Sequence, residues 1–122
     1  MEKIILDTDE GADISIIRQK VLNELLLLGY NFKLKGTQYL LESIMYIYTK
    51  KEMNLLENLE KNVYKYISEK NNKSLLNIKT SIIKSTNYVY GYQNKNVLDE
   101  YFSIDIKITP KLVISTILEK LS

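Results

Sequence analysis

A run of lysine, asparagine, serine and threonine without any acidic residue holds the side chains of this sequence that are best suited to chemistry. It covers residues 70–98 and contains five lysines. A helix that carries such side chains on one face offers cations to phosphates and hydrogen-bonding groups to base edges. The run therefore predicts contact with double-stranded DNA.

The centre of this run has the pattern of an amphipathic helix. Leu75, Ile78, Ile82 and Val89 recur at helical spacing, and Asn72-Lys73-Ser74 precedes them as a turn and cap. A helix before this turn would complete a helix-turn-helix. Because the apolar side chains face inward, the remaining ones face solvent or DNA.

Eight polar side chains are predicted to bind DNA. Those in the turn and on the outward face of the helix are Lys73, Ser74, Asn77, Lys79, Thr80 and Lys84. Lys73 is expected to hold a phosphate near the helix N-terminus, where the helix dipole favours anions. Lys33 and Lys35, in a loop before an earlier helix, are expected to anchor phosphates as well. The alternative is that these residues form an ordinary solvated surface.

The composition excludes much of enzyme chemistry. The 122 residues contain neither histidine nor cysteine. The commonest general base and any thiol nucleophile or thiolate metal site are therefore absent. We predict a protein that is not an enzyme and uses no cofactor or metal. The longest aliphatic run, residues 25–28, is too short to span a membrane, and the start lacks a signal-peptide pattern. We expect a cytoplasmic protein.

Charge is distributed unevenly along the chain. Residues 1–13 hold five acidic residues and one lysine, whereas the remainder has a surplus of six positive charges. We therefore predict an acidic, flexible leader over residues 1–12 and a helical DNA-binding domain over residues 13–122. The leader is hypothesised to compete with DNA phosphates. Biased composition is the alternative explanation for the many lysines.

Helical periodicity predicts a compact all-α domain of five to six helices that contains the helix-turn-helix. The expected helices cover residues 14–28 after an Asp13 cap, 37–48 from a Thr37 cap, 52–69, 75–90, 97–102, and the chain from Pro110 onward. Residues 103–109 alternate like a strand and are expected to form an extended connector or to pair with another chain.

One segment carries a resemblance to a known family. Residues 28–44 read LGYNFKLKGTQYLLESI, which resembles the C-terminal DNA-binding domain of the master sporulation response regulator of endospore-forming Firmicutes (the stage zero sporulation protein A family). The shared order is a glycine, a lysine-glycine pair, then tyrosine or leucine, glutamate and isoleucine. The likeness continues at Tyr48, Asn72-Lys73-Ser74, Tyr101-Phe102 and residues 117–121.

The resemblance implies a transcriptional regulator of sporulation that places a helix-turn-helix in the major groove. It also implies paired sites and hence a homodimer on DNA. Only about 25 residues precede the resemblance, too few for the family's receiver domain. We therefore expect an orphan effector controlled by its abundance or by a protein partner; the alternative is a piece of a longer protein.

The predicted recognition helix lacks the arginines that the family uses to read its operator. Asn77, Lys79, Thr80, Ile83 and Lys84 stand at the outward positions. Lysine does not reproduce the bidentate contact of arginine with guanine, and asparagine prefers adenine. This favours a different or more A·T-rich operator. The alternative function is a protein-interaction module that binds itself or the full-length regulator and modulates sporulation without specific DNA readout.

Overall fold

A computed structural model describes residues 2–92, 101 and 108–121, with the side chains of residues 13–89, 101 and 108–121. Its α-helices are α1 (Glu2–Leu28), α2 (Lys35–Lys50), α3 (Lys65–Asn71), α4 (Leu75–Tyr92) and α5 (Pro110–Leu121). A 3-10 helix (Met53–Asn58) and a π-helix (Glu60–Tyr64) lead into α3. The described part of the chain contains no strand, and the predicted all-α class is confirmed. The predicted helix over 97–102, apart from the helical Tyr101, and most of the connector over 103–109 lie outside the described residues.

α2 is the central helix and contacts each of the other four described α-helices. Leu40, Leu41, Ile44 and Met45 are buried and Tyr48 is half-buried, so the predicted inward face of α2 is confirmed. These positions of α2 are apolar because the neighbouring helices pack against them.

α1 differs from its prediction at the N-terminal end. The helix begins at Glu2, so the predicted cap at Asp13 is wrong. An exposed aspartate inside a helix costs less than about 1 kcal/mol, which the surrounding helical residues can offset. Val21, Leu25 and Leu28 are buried, but Ile14 is exposed rather than inward. The division into a leader and a domain stays a prediction.

Gly29 ends α1 as predicted. It adopts φ 100°, and its N–H donates to the Leu26 carbonyl at 3.0 Å while the Tyr30 N–H donates to Leu25 at 3.0 Å. This pair of hydrogen bonds is the Schellman motif, in which glycine tolerates the left-handed conformation. None of the described helices, α1 included, is both long and apolar enough to cross a membrane.

The start of α2 also differs from its prediction. α2 begins at Lys35 after Leu34, so Thr37 is not its cap; the Thr37 side chain is buried, and its Oγ1 has no hydrogen-bond partner among the described residues. The Asn31 side chain turns the chain earlier, because its Oδ1 accepts the Lys33 N–H at 2.9 Å. This local turn lets the helix start two residues before the predicted cap.

Gly36 brings α2 against α4. A Cβ atom at this position would lie 1.8 Å from the Ser81 carbonyl oxygen, so the two backbones meet where no larger residue fits. The close approach fixes α4 on the central helix.

The segment before the turn is only partly the predicted α-helix over 52–69. Its first two-thirds form the 3-10 and π-helices, Met53–Asn58 and Glu60–Tyr64, and Asn side chains explain the departure. Asn58 Oδ1 accepts the Lys61 N–H at 3.1 Å, and the Asn62 side chain donates to the Leu55 carbonyl at 3.3 Å. Such side-chain bonds compete with regular helical bonds. Farther along, Val63 and Ile67 are buried as predicted.

The last helix begins at Pro110, as predicted. The Thr109 hydroxyl caps it by accepting the Leu112 N–H at 3.2 Å. Val113 and Ile117 are fully buried, which docks α5 onto the core.

Candidate nucleic-acid interface

A three-residue turn joins α3 to α4 with little conformational freedom. Asn72 adopts the left-handed conformation at φ 54° and ψ 46°. The Lys73 N–H donates to the Ser68 carbonyl at 3.0 Å and the Asn72 N–H to Glu69 at 3.3 Å, which again is the Schellman arrangement. The Ser68 hydroxyl also donates to the Lys73 carbonyl at 2.6 Å. These bonds fix the angle between the two helices.

Ser74 caps α4, as the sequence predicts. Its Oγ accepts the Asn77 N–H at 3.0 Å, the usual bond of an N-cap serine to the third helical residue. The first turn of α4 contains no acidic residue. The positive end of the helix dipole is therefore not neutralised from within the helix.

One face of α4 is buried in the domain. Ile78, Ile82 and Val89 are fully buried, as predicted. The Tyr30 and Thr86 hydroxyls share a buried hydrogen bond of 2.8 Å, which adds a polar link between the α1–α2 loop and α4. Because this face is occupied, the opposite face of α4 points outward.

Most of the predicted contact residues are exposed, and five of them lie on the turn and the outward side of α4. The exposed ones are Lys73, Ser74, Asn77, Thr80 and Lys84 on the turn and α4, and Lys33 and Lys35 before and at the start of α2. Lys73, Asn77 and Lys84 are separated by one and two helical turns, so they follow one side of the helix. Their role in DNA binding stays a prediction.

Lys79 is placed differently from the other candidates. Its Nζ forms an ion pair with Glu60 Oε1, and the two side chains are 45% and 47% exposed. The pair lies at the edge of α4 next to the π-helix. Glu60 thus neutralises one of the positive charges that the sequence assigned to the DNA-binding face.

Lys35 and Lys73 line one cleft, although they are distant in sequence. The cleft has a volume of about 520 Å³ and lies between α1, the start of α2 and the turn. Arg18, the only arginine in the chain, also lines it. Glu42 borders the same cleft but is engaged by Lys70 at 3.3 Å and Asn71 at 3.2 Å. Arg18 was missed in the sequence because nothing in its spacing connects it with the turn.

Apolar side chains on the outward face of α4 were also missed or undervalued. Leu76 is 68% exposed and Ile83 is 39% exposed. Their spacing of seven residues, with Thr80 between them, is the only signal in the sequence that they share a face.

The fold is that of a compact all-α domain that contains a helix-turn-helix. A tight turn joins two helices, the second helix is held by its apolar face, and lysines flank its outward face. The family model described as "Sporulation initiation factor Spo0A C terminal" matches residues 21–121, and the chain belongs to this family. It is a family of DNA-binding domains from a sporulation regulator, which supports a DNA-binding role here. A comparison with curated proteins found no matching relative.

Proposed function

We propose that this chain is a sequence-preferring regulator of transcription that works as an orphan effector domain. α4 enters the major groove and α3 supports it from the side of the sugar-phosphate backbone. The observation that carries the proposal is the outward face of α4, where Lys73, Asn77 and Lys84 are exposed behind a rigid, capped turn. This arrangement matches the geometry by which helix-turn-helix proteins present a recognition helix.

Positioning and reading are separate tasks in this proposal. Lys33, Lys35, Lys73 and Arg18 neutralise phosphates beside the groove, since phosphate contacts fix register without specifying sequence. Asn77 bonds an adenine edge, whereas Ser74, Thr80 and Lys84 complete the face that meets the groove. Lys79 is paired with Glu60, so it contacts a phosphate only after this ion pair breaks.

Control and assembly follow from the family relationship as further parts of the proposal. The domain binds paired sites as a homodimer on DNA. Its activity is set by abundance or by a protein partner in the cytoplasm rather than by phosphorylation of an attached receiver. The mass of the native protein, read by immunoblot, tests the orphan status.

Fluorescence anisotropy with two labelled duplexes tests the DNA-binding function. One duplex carries the operator box of the family and the other a scrambled sequence, each at low and near-physiological salt. We expect salt-sensitive binding, because released counterions drive association with phosphates. Binding to neither duplex at low salt would disprove the proposal. Equal binding to both would retain DNA binding and require selection of the operator from a random pool.

Two lysine variants localise the interface. Lys73→Ala removes an exposed charge that is proposed to neutralise a phosphate beside the groove, and it is expected to weaken binding to every duplex. The dependence of log affinity on log salt should become shallower by about one unit. Lys50→Ala is the matched control, since Lys50 ends α2 far from Lys35, and it should leave both quantities unchanged. Equal losses of affinity in the two variants would indicate that DNA binds a different surface.

A protein-interaction module is the second candidate function. The observation that favours it is the exposure of Leu76 and Ile83 on the outward face of α4, because exposed apolar groups often mark protein contacts. Such a module would bind a second copy or the full-length regulator with little dependence on salt. The same titrations therefore separate the two functions.

A further inference from the structure

Three side chains with apolar groups form a stripe along the outward face of α4. Leu76, Thr80 and Ile83 are spaced by four and three residues, so they lie one above the other. Leu76 is 68% exposed, more than any other large apolar side chain among the described residues, and Ile83 is 39% exposed. We name these three residues the apolar stripe.

Thr80 contributes a methyl group rather than a hydroxyl to this stripe. Its Oγ1 donates to the Leu76 carbonyl at 2.8 Å and lies 3.3 Å from the Asn77 carbonyl. A hydroxyl bound to its own helix in this way has its donor already used. The methyl group is then the part of Thr80 that remains for contacts.

Positive and polar groups lie along one side of the apolar stripe. Lys73, Asn77 and Lys84 are exposed beside it, and the first turn of α4 holds no acidic residue. The Lys79–Glu60 ion pair, which has no net charge, lies along the other edge. An apolar stripe with cations along one side is complementary to a surface that carries apolar groups beside an anionic rim.

The major groove of A·T-rich DNA has these properties. Phosphates line both rims, and the C5-methyl group of thymine is the apolar group that base edges present in the groove. We propose that the apolar stripe of α4 reads thymine methyl groups, which makes Leu76, Thr80 and Ile83 specificity-determining residues. Asn77, on the neighbouring side of the helix, bonds adenine. This inference rests on the proposed DNA-binding function.

Replacing thymine by uracil in the duplex tests the inference, because the change removes the C5-methyl group and keeps the base pairing. Affinities of the whole chain are measured at low salt for alternating dA–dT and dA–dU duplexes of equal length. The dA–dT duplex is expected to bind more tightly, by about fourfold for each methyl group buried. Alternating dG–dC duplexes with and without 5-methylcytosine provide the converse test, since the added methyl groups should increase affinity.

Variants assign the methyl preference to the stripe. Leu76→Ala and Thr80→Ser each remove apolar groups from an exposed position, and Thr80→Ser keeps the hydroxyl that bonds the helix. Both should lower the ratio of dA–dT to dA–dU affinity towards one while binding stays salt-sensitive. Leu26→Ala is the matched control, because Leu26 is 52% exposed on α1, and its ratio should equal that of the unaltered chain.

Failure of the inference is distinguishable from failure of the proposed function. Equal affinity of the unaltered chain for dA–dT and dA–dU duplexes, with strong dependence on salt, would overturn methyl reading and leave DNA binding in place. A methyl preference that persists in Leu76→Ala and Thr80→Ser would also overturn it, since other groups would then read the methyls. Binding to none of the duplexes would overturn both proposals.

Discussion

Glu60 acts on two side chains that lie against α4. Its carboxylate pairs with Lys79, which removes a positive charge from the edge of the proposed DNA-binding face. Burial, with a smaller contribution from the negative charge of Glu60, raises the pKa of the Tyr64 phenol to about 12. A side chain beside the recognition helix thus affects both its charge and the ionisation of the core beneath it.

Stability at alkaline pH should depend on Tyr64. An unfolded tyrosine has a pKa near 10, so between about pH 10 and 12 the folded chain keeps a proton that the unfolded chain loses. The stabilisation is complete below about pH 10 and is lost as the pH rises towards 12, by roughly 2 kcal/mol. Urea unfolding at neutral pH and at about pH 11 measures the first part of this loss, about 1.4 kcal/mol.

Tyr64→Phe should lose less stability than the unaltered chain over the same pH interval. Tyr66→Phe is the matched control, because Tyr66 is 42% exposed, and its loss should match that of the unaltered chain. An equally steep loss in Tyr64→Phe would show that other groups cause the alkaline unfolding.

At the scale of elements, the turn between α3 and α4 sets the direction of α4. Asn72 adopts the left-handed conformation that the turn requires, at φ 54°. Two backbone hydrogen bonds and the Ser68 hydroxyl stabilise the turn. Glycine and asparagine tolerate this conformation. For most other residues the left-handed conformation costs about 1 kcal/mol or more of folding free energy.

Asn72→Ala should therefore destabilise the domain by roughly 1 kcal/mol and weaken DNA binding, since relaxation of the turn would also move α4. Asn72→Gly keeps the left-handed conformation accessible and is the matched control, with nearly unchanged stability and affinity. Urea unfolding and anisotropy on the same preparations measure the two effects. Unchanged affinity in a clearly destabilised Asn72→Ala would show that the turn supports the fold without orienting the helix.

The sequence predicted the elements with periodic apolar residues and missed features that depend on distant contacts. Buried positions such as Ile44 and Ile82 and the start of the last helix at Pro110 follow from local patterns. The cap assigned to Thr37 failed because the Asn31 turn starts α2 earlier, next to the contact of Gly36 with Ser81. That contact joins residues 45 positions apart, and a local sequence pattern carries no information about such a contact.

The candidate site shows the same division. The cap at Ser74 and the outward positions of Asn77 and Lys84 follow from helical spacing and agree with the structure. The pairing of Lys79 with Glu60 and the cleft that joins Arg18 to Lys73 depend on how separate elements pack. Electrostatic partners across elements are therefore the part of the site that sequence reasoning could not supply.

At the scale of the whole molecule, negative charge is concentrated at one end of the chain. α1 is 27 residues long, which corresponds to about 40 Å of helix, and Val21, Leu25 and Leu28 in its C-terminal part are buried in the core. Residues 1–12 carry four acidic side chains and one lysine. Their field reaches DNA only within a Debye length, about 10 Å at 0.1 M salt and about 30 Å at 0.01 M.

Removing this negative charge should therefore tighten DNA binding mainly at low salt. Deletion of residues 1–12 raises the net charge from +2 to +5. A second variant keeps the full length and replaces Glu2 and Glu10 by glutamine and Asp7 and Asp9 by asparagine. Its net charge is +6. We expect both variants to gain several-fold in affinity near 0.01 M salt and to approach the unaltered chain near 0.15 M, since screening suppresses distant repulsion. Anisotropy across a salt series measures this. A gain in the deletion alone would indicate steric obstruction, and no gain in either variant would show that the acidic segment does not affect DNA binding.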